Sequence, residues 1–162
     1  MRKRISRWVA LTGMSLIATT GWCAEQGGEG AEKGHHDHRH HVALFLGNTH
    51  DLHGNNAFTV GVDYEYRLND LFGIGALIDH AGENINSTVV GGGLFIHPWQ
   101  ELRVLTALGN EHQNGHNEFL FRLGAIYDFH INDWSISPAL YMNWLESGHQ
   151  NWVSGIEIGR GF

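Results

Sequence analysis

From Val42 to Phe162 the chain alternates apolar and polar side chains in segments of about ten residues, a period that belongs to β-strands. Successive side chains of a strand point to opposite faces, so such a segment has two distinct sides. In residues 118–130, Phe119, Phe121, Leu123, Ala125, Tyr127 and Phe129 share one side, and Leu120, Arg122, Gly124, Ile126, Asp128 and His130 share the other. Residues 57–68 set Phe58, Val60, Val62, Tyr64, Tyr66 and Leu68 against Thr59, Gly61, Asp63, Glu65 and Arg67. Residues 134–145 set Trp134, Ile136, Pro138, Leu140, Met142 and Trp144 against Ser135, Ser137, Ala139, Tyr141, Asn143 and Leu145. Weaker segments of the same kind occupy 41–49, 71–80, 87–97, 101–110 and 151–162, which brings the strands to eight. Tight turns at Asn69-Asp70, Pro98-Trp99-Gln100 and Asn132-Asp133 take turns with longer polar loops at 50–56, 81–86, 111–117 and 146–150. Short connections at one end and long ones at the other describe an all-β, eight-stranded antiparallel up-and-down barrel over 42–162.

A soluble barrel turns its apolar side inward, and a membrane barrel turns it toward lipid. The polar side decides between them. It carries glycine together with Asp63, Glu65, Arg67, Asp79, Arg103, Arg122, Asp128 and Glu157. If that side faced water, every Phe, Tyr and Trp would crowd into an interior wide enough only for modest side chains. Facing inward, the glycines leave room and the opposite charges can pair. Tryptophan agrees, because Trp99, Trp134, Trp144 and Trp152 all fall near strand ends. At about 3.3 Å per residue and a tilt near 40°, Trp134 and Trp144 stand roughly 25 Å apart along the membrane normal, the height of an apolar band between two aromatic girdles. The lipid-facing side predicts that Leu123→Arg hinders insertion and that Gly124→Ala, on the lumen side, is milder.

The chain ends Ile156-Glu157-Ile158-Gly159-Arg160-Gly161-Phe162, an alternating strand with a terminal aromatic residue. In this ending and in the architecture of 42–162 it resembles the small outer-membrane barrels of the OmpA/OmpX-like class. The resemblance implies that Phe162 is an assembly signal read by the barrel-assembly machinery. Arg160 departs from the apolar residue usual at its position. Pro138 is a second departure, since a closed barrel has no edge on which a missing N–H is harmless, and a local bulge or unpaired carbonyl is expected there.

Residues 1–24 read as a cleaved signal peptide: Arg2, Lys3, Arg4 and Arg7 precede an apolar run from Trp8 to Trp22. Export with this architecture implies the outer membrane of a Gram-negative bacterium. Cys23 is the only cysteine, which excludes an intramolecular disulfide. Residues 25–41 are rich in Gly, Glu and His with almost nothing to bury, and are expected to form a flexible periplasmic tail. Removing 1–24 takes four of ten basic residues and none of seventeen acidic ones, leaving six against seventeen, a net charge of −11. Nucleic acid is therefore a poor partner.

An eight-stranded lumen is filled by its own side chains, so bulk diffusion is not expected. Asp63, Glu65, Arg67, Arg103, Arg122, Asp128 and Glu157 read as an internal salt-bridge plug, since charges in a dry lumen must pair. Histidine is the unusual residue, at thirteen copies. His35, His36, His38, His40 and His41 cluster in the tail, while His50, His53, His80, His112, His116 and His149 fall in or beside the long loops. Neutral imidazole ligates zinc, nickel and copper, and spacings such as His36-Asp37-His38 let two rings reach one ion. The candidate metal residues are His35, His36, His38, His40, His41, His112 and His116. No cofactor is required by this reading. Its alternatives are an ion or small-solute channel, which would need a wider lumen, and a lipid-modifying enzyme, for which His80, Ser87 and Glu83 form the nearest trio.

Overall fold

A computed structural model describes residues 38–162 apart from 53, 83 and 84. The signal segment and most of the tail, with His35 and His36, lie outside the described residues. The strands are β1 (His40–Asp51), β2 (Asn56–Arg67), β3 (Phe72–Ala81), β4 (Ser87–Trp99), β5 (Leu102–Gln113), β6 (His116–Tyr127), β7 (Phe129–Ile131), β8 (Trp134–Leu145) and β9 (Gln150–Gly161). Each pairs antiparallel with its neighbour in sequence, except that β6 and β7 both pair with β8. β7 continues β6 beyond Asp128, so the two make one wall strand. β1 pairs with β9, from His41 opposite Gly161 to Asp51 opposite Asn151, and this closes an eight-stranded barrel.

The alternation sets the two faces as expected. Along β2, Ala57, Thr59, Gly61, Asp63 and Glu65 are buried, while Phe58, Val60, Val62 and Tyr64 are exposed. Leu44, Ile74, Ile78, Leu123, Leu140 and Ile156 are likewise exposed on the outer wall. An outer wall this apolar is suited to hydrocarbon rather than water, where patches of a few hundred Å² are already unusual. The small core lies inside and includes Phe45, Phe95, Leu105, Leu120, Ile126, Tyr141 and Val153. Phe45 meets Tyr141 edge-on, at 5.6 Å between ring centroids.

Several details differ from the sequence reading. The strands run further, and the connections at the far end shrink to 52–55, 82–86, 114–115 and 146–149. Asn114 and Gly115 have φ of +50° and +82°, the left-handed pair that a type I′ turn demands, so β5 and β6 pair up to Gln113 opposite His116. Strand β1 begins at His40, so the last two tail residues belong to the wall. Pro138 causes no bulge: its pairing with β9 is unbroken, and β6/β7 keeps one register on both sides of it. The β6/β7 ladder is merely interrupted between Ile126 and Phe129, opposite the residue that has no N–H to donate. The bulge occurs instead at Pro98, between Ile96 and Trp99 of β4. His130 is exposed, although Ser135 opposite it on β8 is buried. Gly124 is more constrained than expected, since a Cβ there would run into the Tyr141 ring. Alanine at 124 must therefore displace Tyr141.

Arg160 stands on the outer wall beside Trp134 with its guanidinium 5.5 Å from the ring centroid, a cation–π contact at the level of an aromatic girdle. The outward direction of Leu123 leads to the first test. In a folding assay in lipid, Leu123→Arg should destabilise the barrel by about 2 to 4 kcal/mol, the cost of arginine near the bilayer midplane, while Leu123→Ala should be mild. Equal tolerance of both would contradict an outer wall facing hydrocarbon.

Candidate functional site

Two arginines organise the lumen. Arg103 on β5 is buried, and two of its three guanidinium nitrogens are hydrogen-bonded: Nε donates to Asp128 Oδ2 at 2.7 Å, and Nη2 donates to Asp128 Oδ1 at 2.8 Å and to Glu157 Oε2 at 2.7 Å. Its Nη1 lies 3.8 Å from Glu65 Oε2. Asp128 also accepts from the Ser137 hydroxyl at 2.6 Å. Bidentate geometry of this kind fixes direction as well as charge. Asp128 sits at the interruption between β6 and β7, and its own N–H donates to the Glu101 carbonyl at 2.6 Å.

Glu65 connects this cluster to His97 on β4, at 2.5 Å from Nε2. Arg67 Nη2 lies 3.1 Å from His97 Nδ1. A guanidinium only donates, so Nδ1 accepts and Nε2–H donates to Glu65. Sequence reasoning missed His97, although it has the inward parity of Val89 and Phe95 and is the last residue of the strand assigned to 87–97. His41 also faces the lumen at this end, with Nε2 3.2 Å from Ser135 Oγ.

Higher in the barrel, Arg122 on β6 donates from Nε to Asn143 Oδ1 at 2.7 Å and from Nη1 to Asp79 Oδ2. Asn143 in turn donates to Asn151 at 2.7 Å. The Tyr141 hydroxyl donates to Glu157 Oε1 and stands 3.4 Å from Asp63 Oδ2, while Arg122 lies 5.0 Å from the Tyr141 ring centroid. Tyr141 thus joins the two arginine clusters, and only its inward parity in β8 signalled it. Asp63, Glu65, Asp79, Glu111, Asp128 and Glu157 are all buried with Arg103 and Arg122. Towards the far mouth Thr49 and Thr59 bond at 2.7 Å. Beside them is a cavity of about 10 Å³ lined by Glu111, Ser87, Asp79 and Arg122, room for about one water.

The histidines are dispersed. No group of three potential metal ligands converges among the described residues. His112 lies opposite Asn117 and Gln113 opposite His116, so His112 and His116 stand on opposite faces of their hairpin and do not share an ion. His40 stacks on Phe162 at 5.4 Å and 11°, and its Nδ1 bonds the Tyr64 hydroxyl at 2.8 Å. His38 is 3.6 Å from Asp133. The possible catalytic trio does not form: His80 is exposed on the outer wall while neighbouring Ser87 is buried in the lumen, and Glu83 lies outside the described residues.

Because Arg103 neutralises two carboxylates that have no water to turn to, its loss leaves uncompensated buried charge. Arg103→Met should cost about 3 to 5 kcal/mol in unfolding from detergent micelles, and Arg103→Lys should recover only part of it. A loss below about 1 kcal/mol, the scale of exposed pairs, would show that water reaches the cluster.

No family model matches the chain, and no curated protein matches it. Its likenesses are to solved structures. The N-terminal β-barrel domain of Pseudomonas aeruginosa OprF superimposes with a TM-score of 0.58 at 13% identity, over 75% of this chain and 97% of that one. Neisserial surface protein A gives 0.55 at 9% identity, over 76% and 96%. The de novo designed transmembrane barrel TMB2.3 gives 0.54 at 16%, over 78% and 98%. The chain therefore has the fold of the small eight-stranded β-barrels of bacterial outer membranes.

Proposed function

We propose that the protein is a non-enzymatic outer-membrane barrel without a conducting pore, and that its histidine-rich N-terminal segment binds divalent transition metal ions at the periplasmic mouth. The observation that carries the first half is the lumen, spanned by the Arg103 and Arg122 clusters and joined through Tyr141. A solute path would require these buried pairs to part, at a cost of about 3 to 5 kcal/mol for each ion left buried without its partner. Lipid is the medium that matches the outer wall. The start of β1 and the C-terminal Phe162 lie together at one mouth, where His40 and Phe162 exchange backbone hydrogen bonds at 3.2 and 2.9 Å. In a barrel of this class that mouth faces the periplasm.

The metal half rests on His35, His36 and His38, whose spacing lets neighbouring rings reach one ion. His40 and His41 already serve the wall and the lumen, so they are poor ligands, and His112 and His116 diverge. Zinc, nickel and copper all suit imidazole. Binding requires neutral rings, so protons compete with the ion. Titration calorimetry with Zn²⁺, Ni²⁺ or Cu²⁺ should give binding at about pH 7.5 that weakens steeply by about pH 5.5, near the ordinary titration of imidazole. Deletion of 25–37, which spares β1, should abolish it, and a His112→Ala/His116→Ala variant should match the parent. Binding that survives the deletion would remove the tail from the proposal.

Phe162 is proposed as the signal read by the assembly machinery. Deleting it should lower the amount of folded barrel in the outer membrane while export to the periplasm continues. His40→Ala, which removes the ring stacked on Phe162 but leaves the terminus intact, should have the smaller effect. If the two variants fall equally, the contact with His40, rather than recognition, explains the phenotype.

A further inference from the structure

Three of the four hairpins at the mouth opposite the termini carry the same device. His50, His80 and His112 are the penultimate residues of β1, β3 and β5. Each is exposed on the lipid-facing side, in parity with Leu46, Ile78 and Leu108 below it. Each is bonded through Nδ1 to the residue directly opposite on the next strand: His50 to Asn56 Oδ1 at 2.7 Å, His80 to Thr88 Oγ1 at 3.0 Å and His112 to Asn117 Oδ1 at 2.7 Å. An amide oxygen only accepts, so in the two Asn pairs Nδ1 carries the proton. That leaves Nε2 as an acceptor in the neutral ring and as a second, positively charged donor in the protonated one. His50 Nε2 lies 3.4 Å from the Ser154 hydroxyl, which can serve either state. In the fourth hairpin the equivalent place, penultimate in β8, is taken by Trp144. Tryptophan at a strand end marks the boundary between hydrocarbon and headgroups, so the three imidazoles stand at headgroup height.

We propose that these three histidines form a proton-gated docking ring for the phosphate groups of lipid headgroups in the outer leaflet. The proposal rests on the membrane reading above. Charge supports this occupant: the described Lys and Arg residues are Arg39, Arg67 and Arg160 toward the termini and Arg103 and Arg122 in the lumen, so imidazole is the one cationic group available at this rim among the described residues. Among the described residues, the strands flanking these rings place no carboxylate beside them on the outer wall. Asn56 and Trp152 flank His50, Val60 and Thr88 flank His80, and Thr88 and Asn117 flank His112. The neighbouring acids Asp51, Glu111 and Glu118 have lumen-side parity, and Glu118 accepts from Ser147 at 2.6 Å. Single imidazoles spread over three hairpins suit a layer of headgroups better than one ion, which needs converging ligands. Protonation adds charge where phosphate lies, so the preference for anionic lipid rises as pH falls.

The test uses the full chain reconstituted in phosphatidylcholine vesicles containing phosphatidylglycerol, a phosphodiester whose charge is constant over the range used. Electron paramagnetic resonance of spin-labelled lipids reads the fraction immobilised against the protein. Selectivity for phosphatidylglycerol over phosphatidylcholine should be about fivefold greater at pH 5.5 than at pH 7.5, on the scale of a cationic side chain near an anionic surface. The exposed arginines at the other rim contribute a background independent of pH, and the histidines outside the three positions contribute one that is common to parent and variants. His50→Gln/His80→Gln/His112→Gln should remove most of the pH dependence, and His50→Lys/His80→Lys/His112→Lys should hold the preference high at both values. An inserted barrel with pH-independent selectivity, or one whose selectivity survives the Gln triple, overturns the docking ring and leaves the membrane reading standing. Selectivity abolished by millimolar inorganic phosphate would assign the rings to a free anion and likewise overturn it. A preference that grows toward alkaline pH only when Zn²⁺ is added points to metal and does the same. If neither labelled lipid is immobilised, the chain has not inserted, and both readings fall together.

Discussion

The fork of Arg103 is the interaction on which the barrel's interior depends. It gathers Asp128 from the β6/β7 junction and Glu157 from β9, with Glu65 of β2 close by, so one guanidinium ties together strands far apart in sequence. Hydrophobic packing cannot do this alone, because a lumen of eight strands holds few large side chains and the apolar residues are committed to the outer wall. The polar cluster therefore does what a core does in a soluble domain: it selects one register. A slip of one residue would turn Arg103 and its partners into hydrocarbon. Glycine completes the arrangement, since a Cβ on Gly73 or Gly61 would occupy the space of the Glu65 or Asp79 carboxylate.

Much of this was legible in the alternation. The eight wall strands, their faces and the inward placement of Arg103, Arg122, Asp128 and Glu157 follow from parity alone, because in a closed sheet one face has a single fate. Parity does not say which inward groups meet. The tilt of the strands brings together Tyr141 and Glu157, or His97 and Glu65, and no spacing in the chain encodes those partners directly. His97 was overlooked at the last position of a weakly alternating strand, where Pro98 read as the turn although the strand bulges and continues to Trp99.

The connections were misjudged for a different reason. Polar composition around Asn114-Gly115 was read as a long loop, yet Asn-Gly is the dipeptide that a two-residue turn requires, and polar residues at the top of a barrel are also what strands carry when they emerge from lipid. The same confusion placed His50 and His112 in loops and His80 at the edge of one. They are wall residues held by a partner across the ladder. Pro138 was expected to distort the sheet, but the closed barrel keeps its register and forgoes only local ladder bonds opposite the missing N–H.

The tight hairpins have a consequence for how the molecule meets its surroundings. Connections of 52–55, 82–86, 114–115 and 146–149 leave almost nothing standing above the strand ends at that mouth. A barrel so trimmed is nearly flush with the bilayer. In the orientation proposed above, an antibody, a phage tail or a protease approaching from outside would find few residues to grip. Concealment of this kind needs no special chemistry; it follows from connections of two to five residues, the shortest an asparagine and a glycine that let two strands turn in the space of two residues.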